Sequence, residues 1–77
     1  MENNSPRNMS MVTLTDEYKR QLQESNYNPF GTINAQLIFL GEIVNMPGHC
    51  VLIDPRTNKI YSCYHTYNFR ECKKEEV

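Results

Sequence analysis

The chain has no block of like charge and no long apolar run. Its 8 basic and 9 acidic residues give a formal net charge of −1, and like charges never extend beyond neighbouring pairs. Proteins that bind nucleic acids usually carry a basic patch or stripe, so we expect nucleic acid not to be the main partner. The strongest apolar stretch, Leu37 to Leu40, is far shorter than the roughly 20 residues of a membrane-spanning helix. We therefore expect no membrane segment.

The sequence also lacks a set of cysteines that can all pair within the chain. It has Cys50, Cys63 and Cys72, and an odd number does not suit a disulfide-stapled secreted module. Residues 1–11 are polar and lack the apolar centre of a secretory signal. We therefore predict a cytoplasmic protein whose thiols are reduced.

A length of 77 residues leaves room for one domain with a thin core. Residues 1–11 show no apolar periodicity and are predicted to be a disordered leader. The domain is predicted to span residues 12–73, and residues 74–77 form a charged tail. A domain this small offers little space for an enclosed active site, so we predict that the protein is not an enzyme.

Apolar residues repeated every four positions predict one helix over about residues 13–25. They would share one face of that helix: Leu14, Tyr18 and Leu22. Thr13 or Thr15 can cap its N-terminus, and the acidic pair Asp16-Glu17 suits the first turn. The segment from Asn26 to Gly31 contains turn-forming residues and a proline, which end the helix.

Beyond the helix, three segments rich in β-branched and aromatic residues predict strands. They are Gln36–Val44, Cys50–Asp54 and Lys59–Thr66. Pro47-Gly48 fits a type II turn, and Asn58 suits the left-handed conformation of a short hairpin loop. Gly41 predicts a bulge or bend in the longest strand. The fold class is therefore α+β or mostly β, with an N-terminal helix packed against a curled antiparallel meander of three to five strands.

The end of this meander resembles a known family. Tyr67-Asn68-Phe69-Arg70-Glu71 is similar to the last part of small SH3-like barrels, such as the stromal barrel protein of photosystem I, over roughly residues 59–77. The resemblance rests on an Asn-Phe pair followed by an acidic residue. It implies an SH3-like barrel that docks on a larger complex. The chain departs from those barrels at its start, where a helix is predicted instead of an opening strand.

Histidines and cysteines supply one set of candidate chemical groups, namely His49, Cys50, Cys63, His65 and Cys72. Zinc sites need four converging ligands, but no Cys-x-x-Cys spacing occurs, and adjacent strand residues point to opposite faces. We expect the cysteines to be small buried hydrophobes, with no metal and no cofactor. A Cys–His nucleophile would also need an oxyanion hole and a cleft. A structural zinc or redox module remains an alternative.

Aromatic side chains concentrate near the C-terminus, interleaved with polar groups, as is typical of recognition surfaces. The predicted partner-binding residues are Tyr61, Tyr64, His65, Tyr67, Asn68, Phe69 and Arg70. Strict strand alternation would place Tyr61, Cys63, His65 and Tyr67 on one face, and Ile60, Ser62, Tyr64 and Thr66 on the other. We expect about half of these aromatics in the core and the rest on the surface.

The function that these features favour is a non-enzymatic interaction module, a small adaptor or regulatory subunit that docks on a larger protein. A barrel that binds single-stranded nucleic acid is the first alternative, because bases stack on aromatic rings. Homodimerisation through an uncovered sheet edge is a further expectation.

Overall fold

The computed structural model describes residues 5–76, with side chains as far as Glu75. It contains one helix, five strands and two 3₁₀ turns: β1 Met11–Leu14, α1 Asp16–Ser25, β2 Gln36–Glu42, β3 His49–Asp54, β4 Lys59–His65, a turn at Thr66–Asn68, β5 Phe69–Glu71 and a turn at Lys74–Glu76. The strands form one antiparallel sheet in the order β4-β3-β2-β1-β5. This architecture confirms the predicted α+β class.

The two turns of the predicted meander have the expected conformations. The His49 N–H donates to the Met46 carbonyl at 3.1 Å, and Gly48 has φ +83°, as a type II turn requires. Asn58 has φ +62° in the loop between β3 and β4, where an asparagine tolerates the left-handed conformation better than most residues. Turn chemistry therefore fixes the pairing of β2 with β3 and of β3 with β4.

The predicted bend at Gly41 is also present. The register between β2 and β3 shifts between Phe39 and Gly41, and Gly41 has φ +139°, which L side chains rarely adopt. A Cβ there would also lie 3.5 Å from the Asn8 side chain. The bulge bends the longest strand and strengthens the twist of the sheet.

The start of the chain differs from the prediction, because residues 11–14 form a strand and not the first turn of the helix. Strand β1 lies between β2 and β5, where Val12 and Leu14 are fully buried. The Thr13 hydroxyl donates to the Ala35 carbonyl at 2.8 Å. The helix begins only after Thr15, whose Oγ1 accepts the Tyr18 N–H. Leu14 has the spacing of a helical residue, but its burial in a central strand stabilises the extended conformation more strongly.

Residues 5–11, which the sequence assigns to a disordered leader, make specific contacts with the sheet. The Met9 N–H donates to the Phe39 carbonyl at 2.6 Å. The Arg7 guanidinium contacts both oxygens of the Glu71 carboxylate at 3.1 Å, and the Arg7 backbone N–H donates to the same group. Backbone hydrogen bonds and the ion pair between Arg7 and Glu71 hold this segment against the sheet, although its sequence has no apolar periodicity. Residues 1–4 of the predicted leader, and Val77 of the predicted tail, lie outside the described residues.

The core is thin and continuous, as expected for this chain length. Helix α1 contributes Tyr18 and Leu22, which confirms that it packs against the sheet. The other buried apolar residues are Val12, Leu14, Phe30, Ala35, Leu37, Phe39, Cys50, Leu52, Tyr61 and Phe69. Over residues 5–76, no helix has the length and apolar character needed to cross a membrane.

The loop between β3 and β4 depends on the Asp54 carboxylate, which is 2% exposed. It accepts hydrogen bonds from the Arg56 side chain at 3.1 and 3.3 Å and from the Arg56 backbone N–H at 2.9 Å. Hydrogen bonds from the Arg56 side chain hold the pKa of Asp54 below its usual value. In the unfolded chain this carboxyl titrates near pH 4, roughly. Its contribution to stability is therefore complete above that pH and is lost as the pH falls through the folded-state pKa.

We expect Asp54→Asn to be less stable than the wild type at pH 6, by about 1–3 kcal/mol, because hydrogen bonds to a charged acceptor are lost. The difference should shrink as the pH falls below about 4. Urea denaturation at a series of pH values measures this difference in the free energy of unfolding. Glu24→Gln, at an exposed position of the helix, is the control for the change in net charge. A difference that is the same at every pH would contradict this role for Asp54.

Candidate functional site

The candidate site lies where β4 ends, and two backbone hydrogen bonds fix its geometry. The Thr66 N–H donates to the Gly48 carbonyl at 2.8 Å, which joins the 66–68 turn to the β2–β3 turn. The Thr15 N–H donates to the Asn68 carbonyl at 3.0 Å, which joins the same turn to the start of α1. The 66–68 turn is therefore held from both sides and presents its side chains in a fixed orientation.

A bulge at Cys63 decides which aromatic side chains point inward. The register between β3 and β4 shifts so that Cys50 pairs with Tyr64 and Val51 pairs with Ser62. Cys63 is the extra residue and has φ +67°. Because one additional residue reverses the alternation, Tyr61 and Tyr64 both face the core, and the assignment of faces by strict alternation is wrong.

The inward-facing residues form an aromatic cluster centred on Phe30. The Phe30 ring lies 4.9 Å from the ring of Tyr61 and 5.9 Å from that of Phe69, measured between centroids. Tyr18 and Tyr64 complete the cluster, at 6.1 and 5.5 Å from Phe30. Burial raises the pKa of both of these tyrosines, so their phenols stay neutral at physiological pH. The cluster bridges β4 and β5, the two outer strands of the sheet.

Two of the predicted partner-binding residues, Tyr61 and Phe69, are buried and do not lie on the surface. Tyr61 is 6% exposed and Phe69 is 3% exposed, so neither side chain is available to a partner. Tyr64 is partly buried against the same core. Asn68 and Arg70 are partly exposed, and an Arg70 Nη1–H donates to the Glu71 carbonyl at 3.2 Å. His65 and Tyr67 are the exposed members of the predicted set.

The rings of His49, His65 and Tyr67 lie in a row on the outer side, here called the imidazole–tyrosine stack, in which His65 and Tyr67 are stacked and His49 is tilted against His65. The His65 and Tyr67 rings are stacked, with centroids 5.1 Å apart and planes 19° apart. His49 lies directly opposite His65 in the β3–β4 register, with ring centroids 4.6 Å apart. Tyr67 is 73% exposed. A large aromatic surface is thus held in a fixed position but open to solvent.

A small pocket of about 190 Å³ adjoins Tyr67. It is lined by Ser5, Glu42, Gly48, Thr66 and Tyr67. The Thr66 hydroxyl oxygen is buried, and among the described residues it has no hydrogen-bond partner. A buried hydroxyl without a partner costs about 1–3 kcal/mol.

A second, larger groove of about 550 Å³ lies at the opposite end of β4, between the loop after α1 and the β3–β4 loop. Phe30 and Tyr61 contribute to its floor, and Arg56 and Lys59 line it. The Lys59 Nζ lies 5.3 Å from the centroid of the Tyr61 ring, and Arg56 is paired with Asp54. Both cations therefore already have partners within the chain.

The histidines and cysteines considered as ligands for the alternative zinc or redox module lie in different environments. Cys50 is buried, Cys63 is exposed and Cys72 is half-buried. Within the side chains described, those of residues 5–75, no three from His, Cys, Asp or Glu gather closely enough to hold a metal. Burial raises the pKa of the Cys50 thiol, which opposes thiolate formation. Only His49 and His65 come together.

Compared with family models, with curated proteins and with solved structures, the chain shows no match. The site is therefore interpreted from its own geometry. Sequence reasoning missed the contribution of Glu42 and placed His49 only among possible metal ligands. The turn at Pro47-Gly48 brings both of these residues beside the 66–68 turn.

Proposed function

We propose that this protein is a non-enzymatic interaction module that docks on a larger protein through the imidazole–tyrosine stack and the adjoining pocket. The exposed ring of Tyr67, stacked on His65 beside a small pocket, is the observation that carries this proposal. Tyrosine offers a large contact area at a small cost in side-chain entropy. Residues that anchor an interface typically sit beside pockets that the partner fills.

The orientation of the stack further supports a docking role. Because the 66–68 turn is tied by backbone hydrogen bonds to both Gly48 and Thr15, the Tyr67 ring loses little freedom when a partner binds. The adjoining pocket of about 190 Å³ is small for a ligand site, since such sites usually occupy about 300–1,000 Å³. It suits a single side chain of a protein partner better than an independent small molecule.

The resemblance to SH3-like barrels is part of the same proposal. Strand β1 is an opening strand that the sequence did not predict, and its presence supports the resemblance. The bulges at Gly41 and Cys63 bend their strands, and such bends allow small sheets to curl. The aromatic contacts between Tyr64 and Phe69 join the two outer strands. We also propose a cytoplasmic location, because three free thiols suit a reducing compartment.

A second copy of the chain is the additional partner that we propose. Strand β4 is at one end of the sheet order, and Ile60 is exposed on it. A bare strand edge offers unpaired backbone groups to another strand. Sedimentation of the purified chain at several concentrations distinguishes a monomer from a dimer.

We expect Tyr67→Ala to abolish capture of a protein partner from an extract of the source cells, while the fold detected by circular dichroism is unchanged. Truncating an aromatic residue that anchors an interface costs about 2 kcal/mol or more, which corresponds to at least a 30-fold loss of affinity, roughly. Tyr27→Ala is the matched control, since Tyr27 is also exposed but takes no part in the stack. Captured proteins are compared between wild type and both variants by mass spectrometry.

Three outcomes of this capture experiment would contradict the proposal. The first is a partner that binds wild type and Tyr67→Ala equally, and the second is one that is lost equally from both variants. The third is a partner that disappears after nuclease treatment. Together with steep loss of binding at higher salt, this third result would favour the single-stranded nucleic-acid alternative.

A further inference from the structure

We propose that His49 and His65 form a two-imidazole binding site for a divalent ion of a late first-row transition metal, such as Cu²⁺ or Zn²⁺. The two residues are directly opposite each other on neighbouring antiparallel strands. Imidazole is a preferred ligand of both metals. This inference does not depend on the docking function, because it concerns only the two histidine rings.

The separation of the rings suits a shared metal ion. Their centroids are 4.6 Å apart and their planes differ by 43°. A zinc–nitrogen bond is about 2.0–2.1 Å long, so a metal bound to both rings lies on the order of 3 Å from each ring centre. Ring centres that share one ion are therefore at most about 6 Å apart. The observed separation falls within this limit.

The hydrogen bonding of His49 leaves the correct nitrogen available. Its Nδ1 lies 3.3 Å from the Pro47 carbonyl oxygen. Because a carbonyl oxygen only accepts, this contact favours the tautomer that carries its proton on Nδ1, which leaves the lone pair of Nε2 for the metal. Histidine ligands in metal sites are usually held in this way by a backbone carbonyl or a carboxylate.

His65 is held by a different neighbour. Its ring is stacked on that of Tyr67, with the planes 19° apart, and the His65 side chain is exposed. His49 is half-buried beside it. One ring is therefore positioned by a hydrogen bond and the other by stacking, and solvent reaches the pair directly.

The site provides two protein ligands, which determines its chemistry. Among the side chains that the structure describes, residues 5–75, no third His, Cys, Asp or Glu joins the pair. The remaining positions on the metal are open to water, so this is not a closed structural zinc site. Stability constants with nitrogen ligands rise towards copper and then fall at zinc. The pair should therefore bind Cu²⁺ more tightly than Zn²⁺, and should not bind Mg²⁺, which prefers oxygen ligands.

The test is titration of the reduced full chain with Zn²⁺, followed by calorimetry and by NMR of the imidazole nitrogens. We expect one site per chain, with zinc-dependent shifts at both histidines. His49→Ala and His65→Ala should each weaken binding by at least a factor of about 10. Cys63→Ser is the matched control, because Cys63 is exposed two residues before His65 and thiolates also bind zinc. It should bind as the wild type does.

The NMR measurement on the wild type does not require that any variant folds. If zinc shifts neither imidazole, or only one of them, the proposal is overturned. It is equally overturned if both histidine variants bind as tightly as the wild type, or if Cys63→Ser alone removes binding. In that last case, a thiolate and not the histidine pair would hold the metal.

Discussion

Replacing Phe30 by alanine is expected to lower the free energy of unfolding by about 3–5 kcal/mol. The Phe30 ring is 3% exposed and contacts four other aromatic rings. Removing it leaves a cavity between α1 and the outer strands, which the thin core has few side chains to fill. Guanidinium denaturation followed by circular dichroism measures the change.

Tyr27→Ala provides the control for this substitution, three residues earlier in the same segment. Tyr27 is 67% exposed, and its truncation should change the free energy of unfolding by no more than about 0.5 kcal/mol. If Phe30→Ala is unfolded without denaturant, Phe30→Leu keeps much of the apolar volume and gives a measurable midpoint. Equal effects at positions 27 and 30 would show that Phe30 is not the centre of the cluster.

Substitutions at Phe69 and Tyr67 should have opposite consequences, although these residues are only two positions apart. Phe69→Ala should cost about 3–5 kcal/mol in the free energy of unfolding, because its buried ring contacts Tyr18, Phe30 and Tyr64. Tyr67→Ala should cost no more than about 0.5 kcal/mol. Denaturation of both variants under the same conditions tests this contrast. A large loss for Tyr67→Ala would mean that its ring supports the fold.

The features that the sequence predicted correctly depend on residues with few conformational options. Pro47-Gly48 and Asn58 specify turns because their backbone preferences are strong and local. Gly41 marks a bulge for the same reason. The antiparallel pairing of β2, β3 and β4 follows from those turns, so this half of the sheet could be predicted without any knowledge of tertiary contacts.

The features that the sequence did not predict depend on contacts between distant segments. Strand β1 has only four residues, and Leu14 continues the helical spacing of Tyr18 and Leu22, so a local pattern favours the helix. Phe30 lies among turn-forming residues and was interpreted as part of a connector. The Asn28 side chain accepts the Phe30 N–H at 2.8 Å, and this local turn directs the ring into the core.

The candidate site could be predicted only in part, because its composition depends on the bulge at Cys63. Counting back from the β3–β4 loop pairs Asp54 with Lys59 and Leu52 with Tyr61. Continuing that count without a bulge would pair His49 with Tyr64. The extra residue shifts the register by one, so that His49 meets His65. The cysteine at position 63 does not indicate this shift in the sequence, because cysteine has no preference for a positive φ.

The position of β1 between β2 and β5 affects the order in which the chain acquires its structure. Contacts such as that between Arg7 and Glu71 join residues 64 positions apart, and closing so long a loop is entropically costly. We expect the β2–β3 and β3–β4 hairpins to form from local contacts, whereas β1 depends on pairing with the distant β5. Folding should therefore finish only when residues 69–71 pair with β1, on the order of milliseconds to seconds, as in other sheets dominated by non-local pairing.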